Sequence, residues 1–165
     1  MNIVLCGMMG CGKTAVSEVY SRLYGVLKVD TDQEIVERYG SINDLFAKYG
    51  EEAFRDIETK ITKEVASSST NAVISLGGGC VLRSENVEAL KLTGKIFYLR
   101  TKAETIIKRL KGDSTRPLLQ GDLDERVNTI LANRSAIYES VADYIIDTDD
   151  LTPEEIAQKI RAKNL

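Results

Sequence analysis

The sequence predicts an α/β fold, a three-layer α/β/α domain with a five-stranded parallel sheet, for all 165 residues. Apolar strand-like runs and amphipathic helix-like segments alternate five times, which is typical of a parallel sheet with helices on both faces. The first strand also runs directly into Gly7–Thr14, which matches the phosphate-loop pattern G-x-x-x-x-G-K-S/T. The length suits one domain with a sizeable core.

The phosphate loop stands between a predicted strand and a predicted helix. Asn2–Cys6 is a short apolar run, and Ala15–Tyr24 repeats its apolar residues at helical spacing. Gly10 and Gly12 would let backbone N–H groups approach phosphate oxygens, and the helix N-terminus adds partial positive charge. Lys13 would reach the β- and γ-phosphates of a nucleotide. The alternative is a glycine turn that contains Lys-Thr by chance, and the flanking strand and helix argue against it.

Two carboxylates follow the second predicted strand. Leu27–Val29 is a short apolar run, and Asp30 and Asp32 come directly after it. Ligands gather at the C-terminal ends of strands in open parallel sheets, so this pair suits a metal ion or a substrate hydroxyl. In the phosphate loop, the Thr14 hydroxyl would bind Mg²⁺. The alternative role for Thr31 or Asp32 is to cap the helix that follows.

Three glycines and one arginine are further candidates. Gly77–Gly79 follow a third predicted strand, Asn71–Leu76, and close approach to a ligand would explain three residues that cost backbone entropy. Arg55 shares one face of a predicted helix with Glu51 and Glu58. From periodicity alone, a solvated ladder of ion pairs is favoured over an arginine held ready for an anionic substrate.

The second half of the chain predicts a lid and the edge of the sheet. Residues 112–122 form a polar, non-periodic stretch that is typical of a mobile lid. Arg116 within this stretch could close over the phosphates. Val141–Ile146 is the predicted fifth strand, and Thr152–Glu155 is a capping box that opens the last helix.

Composition excludes several classes of function. The net charge is −3 without a basic block, which argues against nucleic acid or an anionic membrane as the partner. The chain has no histidine, which excludes imidazole acid–base chemistry and most catalytic zinc sites. Its three cysteines suit free thiols in a reducing cytoplasm, and no apolar run is long enough to span a bilayer. Met1 leads directly into the first strand, so we expect no signal peptide and a cytoplasmic location.

Six motifs, in this order and at these spacings, resemble the shikimate kinase family over nearly the whole chain. They are Gly7–Thr14, Asp30–Asp32, Gly50–Arg55 with Glu58, Leu76–Gly79, Arg116–Leu119, and Arg134 followed by Tyr138. The resemblance implies a nucleoside monophosphate kinase-like sheet, a substrate-binding helical segment at about 31–60 and a lid at about 112–123. It also implies that the γ-phosphoryl of ATP is transferred to the 3-hydroxyl of shikimate, in the route to chorismate and the aromatic amino acids.

The resemblance further implies which residues act. The residues implied to bind ATP are Gly10, Cys11, Gly12, Lys13, Thr14, Ala15, Arg109 and Arg116. The residues implied to bind shikimate are Asp32, Phe46, Phe54, Arg55, Gly77, Gly78, Gly79 and Arg134. Lys13, Asp32 and Arg116 are the implied catalytic residues. Thr14 and, through water, Asp30 are implied to hold Mg²⁺.

The resemblance gives separate roles to the substrate residues. Asp32 would accept a hydrogen bond from the attacking hydroxyl, and Gly78 would contact a substrate hydroxyl through its backbone. Arg55 and Arg134 would grip the shikimate carboxylate. Glu58 would orient Arg55, which reverses the preference from periodicity alone. Because Asp32 would lie near several cations, we expect its pKa to be lowered.

Two other functions and one departure from the family pattern are weighed beside this hypothesis. The other functions are a catalytically inactive nucleotide-binding module of the same fold and another small-molecule kinase, such as a gluconate kinase. Gluconate kinases use a histidine-containing substrate motif, and the chain has no histidine. The departure is the acidic stretch Asp147–Asp150, where some family members place a basic or amide side chain against the nucleotide. We expect a monomer whose partners are ATP and shikimate.

Overall fold

The computed structural model describes residues 1–112 and 122–165. In these residues, five strands and eight α-helices form one α/β unit. The strands are β1 Asn2–Cys6, β2 Leu27–Asp30, β3 Ala72–Ser75, β4 Gly94–Arg100 and β5 Tyr144–Asp147. The helices are α1 Lys13–Tyr24, α2 Thr31–Tyr39, α3 Ile42–Tyr49, α4 Glu51–Ser68, α5 Ser84–Thr93, α6 Ala103–Lys111, α7 Leu123–Val141 and α8 Pro153–Asn164, and a short 3-10 helix, Cys80–Leu82, follows β3.

The sheet is parallel, with the strand order β2-β3-β1-β4-β5. The central strand is β1, in which Val4 pairs with Ile74 of β3 on one side and with Ile96 of β4 on the other. Because all the strands run in the same direction, the segments that follow β1, β2 and β3 meet at one edge of the sheet. The predicted five-stranded α/β fold is confirmed.

Two apolar cores pack on opposite faces of the sheet. Successive residues of β1 alternate between them, because side chains along a strand point to opposite faces. Ile3 and Leu5 lie in the core formed with α1 and α8, whereas Val4 and Cys6 lie in the core formed with helices α2 to α7. None of these four side chains is more than 2% exposed. The strand that carries the phosphate loop is therefore held from both sides.

The structure corrects the boundary of the last strand. The predicted strand Val141–Ile146 begins too early, because α7 continues to Val141. Ala142 follows as the C-cap, and its N–H donates to the carbonyl of Tyr138. Strand β5 begins only at Tyr144. The capping box before α8 is present as predicted.

The two segments predicted around the site differ in what the structure describes. The predicted substrate-binding segment, residues 31–60, comprises α2, α3 and the first half of α4. The predicted lid, residues 112–123, lies mostly outside the described residues, and Arg116 is among those not described. Across the described ranges, no helix combines the length and the apolar character needed to cross a membrane.

Candidate active site

The phosphate loop has the backbone conformation that its glycines predict. Gly10 and Gly12 have φ angles of 82° and 100°, in the left-handed region that only glycine adopts without strain. Gly12 is the N-cap of α1, and no side chain in the described part of the chain caps this helix. The first N–H groups of α1 therefore lack a side-chain acceptor, and the helix dipole adds positive charge there. This helix end is suited to bind an anion.

Two cationic side chains, those of Lys13 and Arg109, donate hydrogen bonds to backbone carbonyls of the phosphate loop. The Lys13 Nζ atom is 2.7 Å from the carbonyl oxygen of Gly7 and 3.1 Å from that of Met8, and both accept its hydrogen bonds. Arg109, from α6, donates from Nη1 to the carbonyl of Gly10 at 2.9 Å. Each cation can exchange a carbonyl oxygen for a phosphate oxygen without leaving the loop.

A cavity of about 370 Å³ lies between the phosphate loop and the ends of β2 and β3. Its described lining residues are Met9, Gly10, Gly12, Lys13, Thr14, Ala15, Asp30, Asp32, Ser75, Leu76, Gly78, Arg109 and Leu110. Most of the predicted nucleotide residues and both predicted carboxylates thus face one space. Cys11 is the exception in the loop, because it is 1% exposed and its N–H donates to the Met8 carbonyl.

Asp30 rather than its neighbours caps helix α2. Its Oδ1 atom accepts a hydrogen bond from the N–H of Gln33 at 3.1 Å, so the predicted alternative of Thr31 or Asp32 as the cap is wrong. Thr31 is fully buried, and its hydroxyl accepts from the N–H of Gly77 at 3.2 Å. This bond ties the end of β2 to the end of β3, and it leaves the Asp32 side chain to face the cavity.

The pKa of Asp32 is raised to about 6, contrary to the expectation that neighbouring cations would lower it. Burial is the largest cause, and the negative charges of Asp30 and Glu58 act in the same direction. Lys13 and Arg55 oppose the shift without overcoming it. The expectation failed because it counted the cations but not the loss of water around the carboxylate.

Arg55 is held by a buried carboxylate. Its Nη1 atom donates to Glu58 Oε1 at 2.8 Å, and the two side chains are 12% and 2% exposed. Glu51 lies farther away, at 3.7 Å, and is mostly exposed. The Arg55 Nε atom is buried and has no acceptor among the described residues. A solvated ion-pair ladder does not fit this arrangement, because the Arg55–Glu58 pair is inside the protein.

The three glycines after β3 lie against charged side chains. A Cβ atom on Gly77 would lie 2.5 Å from Asp32 Oδ1, and one on Gly79 would overlap the Arg55 guanidinium. A Cβ atom on Gly78 would lie 3.5 Å from Arg134 Nη1. The glycines therefore allow this segment to pack between the three predicted substrate-binding side chains. The lack of room for a Cβ atom explains why glycine is needed here better than conformational freedom of the backbone does.

Tyr138 is a site neighbour to which sequence reasoning gave no role. Its hydroxyl donates to the carbonyl of Gly78 at 2.5 Å, its side chain is fully buried, and its ring packs 5.1 Å from that of Tyr98. The signal was available in the spacing, since residues four apart share a helix face and Tyr138 follows Arg134 by four.

The two phenylalanines predicted to contact the substrate pack mainly on each other. The rings of Phe46 and Phe54 are 4.6 Å apart, and Phe54 is only 3% exposed. The Arg55 guanidinium lies over the Phe54 ring, 5.3 Å from its centroid. Neither Phe46 nor Phe54 is among the described residues that line the cavity next to the phosphate loop. The described contact with a predicted substrate residue is therefore that of Phe54 with Arg55.

The acidic stretch that begins at the end of β5 forms ion pairs and hydrogen bonds with other residues of the protein. Asp147 forms an ion pair with Arg100, at 2.6 Å between Oδ1 and Nε. The Oδ1 atom of Asp149 accepts from the N–H of Lys102 at 2.9 Å and from the Thr105 hydroxyl at 2.7 Å. Asp149 thus holds the start of α6, the helix that carries Arg109, and its charge is directed at a helix N-terminus.

Comparison with known proteins decides the family. The family model for shikimate kinase matches residues 9–164. The chain belongs to the shikimate kinase family. The shikimate kinase of Caldicellulosiruptor bescii is 44% identical over 161 residues, which cover 96% of this chain and 92% of the relative. That of Thermodesulfovibrio yellowstonii is 45% identical with the same coverage of both chains.

Solved structures of shikimate kinases have the same fold. The shikimate kinase from Acinetobacter baumannii in complex with shikimate superimposes with a TM-score of 0.91 at 36% identity, covering 99% of this chain and 92% of that chain. The enzyme from Aquifex aeolicus gives a TM-score of 0.84 at 33% identity, covering 99% and 96%. The predictions of family, fold and ATP-dependent kinase class are confirmed.

Proposed function

We propose that this chain transfers the γ-phosphoryl group of ATP to the 3-hydroxyl of shikimate, giving 3-phosphoshikimate and ADP. The observation that carries the proposal is that Lys13 and Asp32 line one cavity. A cation for phosphate oxygens and a carboxylate for an attacking hydroxyl therefore face the same space. The A. baumannii relative, whose structure contains shikimate, supports the choice of acceptor.

The nucleotide phosphates bind at the start of α1. The N–H groups at this helix end and the Lys13 ammonium surround the β- and γ-phosphates, as in other phosphate-loop enzymes. Arg109 lies along the nucleotide from α6. Phosphoryl transfer has a loose transition state with charge on its peripheral oxygens, so positioned cations supply most of the catalysis.

Mg²⁺ is the metal that fits the residues present. The Thr14 hydroxyl and the Asp30 carboxylate both line the cavity, and oxygen ligands are those that Mg²⁺ prefers. Asp30 uses Oδ1 to cap α2, and its other oxygen is available to a metal-bound water. When bound, Mg²⁺ neutralises phosphate charge.

The carboxylate of shikimate binds between Arg55 and Arg134. Support comes from the geometry, because the Arg55 guanidinium is fixed by Glu58 and retains a buried Nε donor without an acceptor in the described residues. Arg134 belongs to α7, and its guanidinium lies close to Gly78, which follows β3. A planar guanidinium with two parallel donors matches a carboxylate.

Asp32 receives the proton of the attacking hydroxyl. The bond between the γ-phosphorus and the bridging oxygen to the β-phosphate breaks, a bond from the shikimate 3-oxygen forms, and the hydroxyl proton passes to Asp32. A carboxylate whose pKa is about 6 is ionised at neutral pH and is a stronger base than an ordinary aspartate. In a loose transition state the proton leaves late, so orienting the hydroxyl is the first task of Asp32.

The remaining proposals follow from the same assignment. The chain acts as a single kinase domain and as a monomer. Residues 31–60 bind the acceptor, residues 112–123 close as a lid, and Arg116 within the lid contacts the phosphates. The enzyme works in the cytoplasm.

The test is ADP release by the purified protein with Mg-ATP and one acceptor at a time: shikimate, gluconate or AMP. We expect a rate that depends on shikimate alone and that Lys13→Ala abolishes. Lys95→Ala, which removes an exposed lysine near the start of β4, is the matched control and should retain the wild-type rate. Binding of ATP without turnover of shikimate would refute the proposal and favour an inactive nucleotide-binding module. A rate with gluconate instead would indicate a kinase for another acid.

A further inference from the structure

The Tyr138 hydroxyl is bonded to one particular peptide group beside the acceptor site. It donates to the carbonyl oxygen of Gly78 at 2.5 Å, although the two residues are 60 positions apart in the chain. Burial raises the pKa of Tyr138 to about 12, and the charge of neighbouring Arg134 and a side-chain hydrogen bond with it oppose the shift without cancelling it. The hydroxyl is therefore protonated at neutral pH and always able to donate.

The orientation of this peptide determines where the Gly79 amide points. The Gly78 carbonyl and the Gly79 N–H belong to one planar trans peptide, so they point in opposite directions. With the carbonyl held by Tyr138, the Gly79 N–H points away from Tyr138. In the part of the chain that the structure describes, this N–H has no acceptor, and neither has that of Gly78.

The surroundings of the Gly79 amide are those of an anion site. The Arg55 guanidinium lies directly against Gly79, and Arg134 Nη1 lies close to Gly78. Consecutive glycines leave the peptide between them free to rotate, because no Cβ atom restricts either residue. One hydrogen bond to the carbonyl is therefore an effective way to fix the direction of the amide.

We infer that Tyr138 is a positioning residue, whose hydroxyl holds the Gly78–Gly79 peptide so that the Gly79 N–H meets the acceptor carboxylate beside Arg55 and Arg134. This inference rests on the proposed function, since it concerns the same acceptor site. Tyr138 does not touch the substrate. Its effect passes through the Gly78–Gly79 peptide and through its hydrogen bond with Arg134, and it concerns binding of the acceptor more than the transfer of the phosphoryl group.

The test is Tyr138→Phe, which keeps the ring in the core and removes only the hydroxyl. We expect KM for shikimate to rise about fivefold to tenfold, the usual loss for one hydrogen bond, while kcat and KM for ATP change less than about twofold. The matched control is Tyr20→Phe, which removes the hydroxyl of another fully buried tyrosine, in the core on the other face of the sheet. It should leave both KM values unchanged.

A second substrate separates positioning from a general structural role. Shikimate methyl ester keeps the ring hydroxyls but lacks the negative charge, so the loss of kcat/KM caused by Tyr138→Phe should be about twofold or less with the ester. An equal loss with acid and ester would overturn the inference, as would no loss with either. So would a rise in both KM values, or a Tyr138→Phe protein that is unfolded by circular dichroism at every temperature tested. Failure of the wild-type protein to phosphorylate shikimate would instead refute the proposed function, before any variant is compared.

Discussion

Asp32→Asn should make the ligand-free protein more stable while it removes most of the turnover. The pKa of Asp32 rises from an ordinary value of 3.8 to about 6, with burial as the largest cause, followed by Asp30 and Glu58. A carboxylate whose pKa is higher in the folded chain than in the unfolded chain destabilises the fold when it is ionised. Asparagine has nearly the same shape without the charge. In the described residues no group donates a hydrogen bond to Asp32, so the substitution sacrifices none.

The size of the effect follows from the shift in pKa. About two pKa units, at about 1.4 kcal/mol each, give a gain in unfolding free energy of about 3 kcal/mol at pH 7. The gain is fully present above about pH 6 and decreases as the pH falls toward 3.8. Below 3.8 it disappears, because the carboxyl group of Asp32 is then protonated in both the folded and the unfolded chain.

Urea unfolding without nucleotide or shikimate measures this gain. Wild type and Asp32→Asn are compared at about pH 7.5 and about pH 3.5, with far-UV circular dichroism as the signal. Asp44→Asn, at an exposed position on α3, is the control and should show no such gain at either pH. Calorimetry should find that Asp32→Asn still binds ATP. Equal stability of wild type and variant at neutral pH, or the same gain at both pH values, would refute the reasoning, and near-normal turnover would refute the role of Asp32.

Three further predictions concern the other parts of the site. First, kcat/KM for shikimate should fall below about pH 6 as Asp32 is protonated. Asp30→Asn should move this fall, the acid limb of the pH profile, to lower pH, because the charge of Asp30 raises the pKa of Asp32. Second, Arg55→Lys should raise KM for shikimate about tenfold and leave KM for ATP nearly unchanged, since lysine cannot form the two-donor contact. Third, Asp149→Ala should cost about 1 kcal/mol in urea unfolding and raise KM for ATP more than KM for shikimate, because it frees the start of α6.

Each of these predictions has a control and a contradicting result. An acid limb that stays in place in Asp30→Asn would show that another group titrates. Equal effects of Arg55→Lys on the two KM values would count against a carboxylate clamp, and Arg22→Lys, on the exposed surface, should change neither. Asp149→Asn keeps an acceptor oxygen and should be close to wild type. A loss in the asparagine variant as large as in Asp149→Ala would mean that charge, and not the hydrogen bonds, holds α6.

Local patterns were enough for the parts of the site that are made by neighbouring residues. The phosphate loop is a strand, a turn and a helix start in sequence, so its spacing alone indicated where Lys13 lies. Asp30 and Asp32 follow a strand, and the parallel sheet brings them to the edge where β1 ends. These predictions needed only the direction of the strands.

Features that depend on distant parts of the chain could not be read in this way. Periodicity placed Arg55 and Glu58 on one face of α4 but did not indicate whether that face was buried. Burial also reversed the expected direction of the pKa of Asp32. The spacing from Arg134 could place Tyr138 on the same face of α7, but it could not identify Gly78, 60 positions away, as its partner.

Lys13 already donates hydrogen bonds to two backbone carbonyls, so binding of a nucleotide exchanges these bonds for bonds to phosphate oxygens. Before ATP arrives, the ammonium is already coordinated by the Gly7 and Met8 oxygens, at 2.7 and 3.1 Å, so a nearly buried charge is never left without ligands. The affinity of the loop for phosphate therefore reflects the difference between phosphate and carbonyl oxygens as ligands. When ADP leaves, the same carbonyls recapture the lysine, which lowers the cost of emptying the site after each turnover.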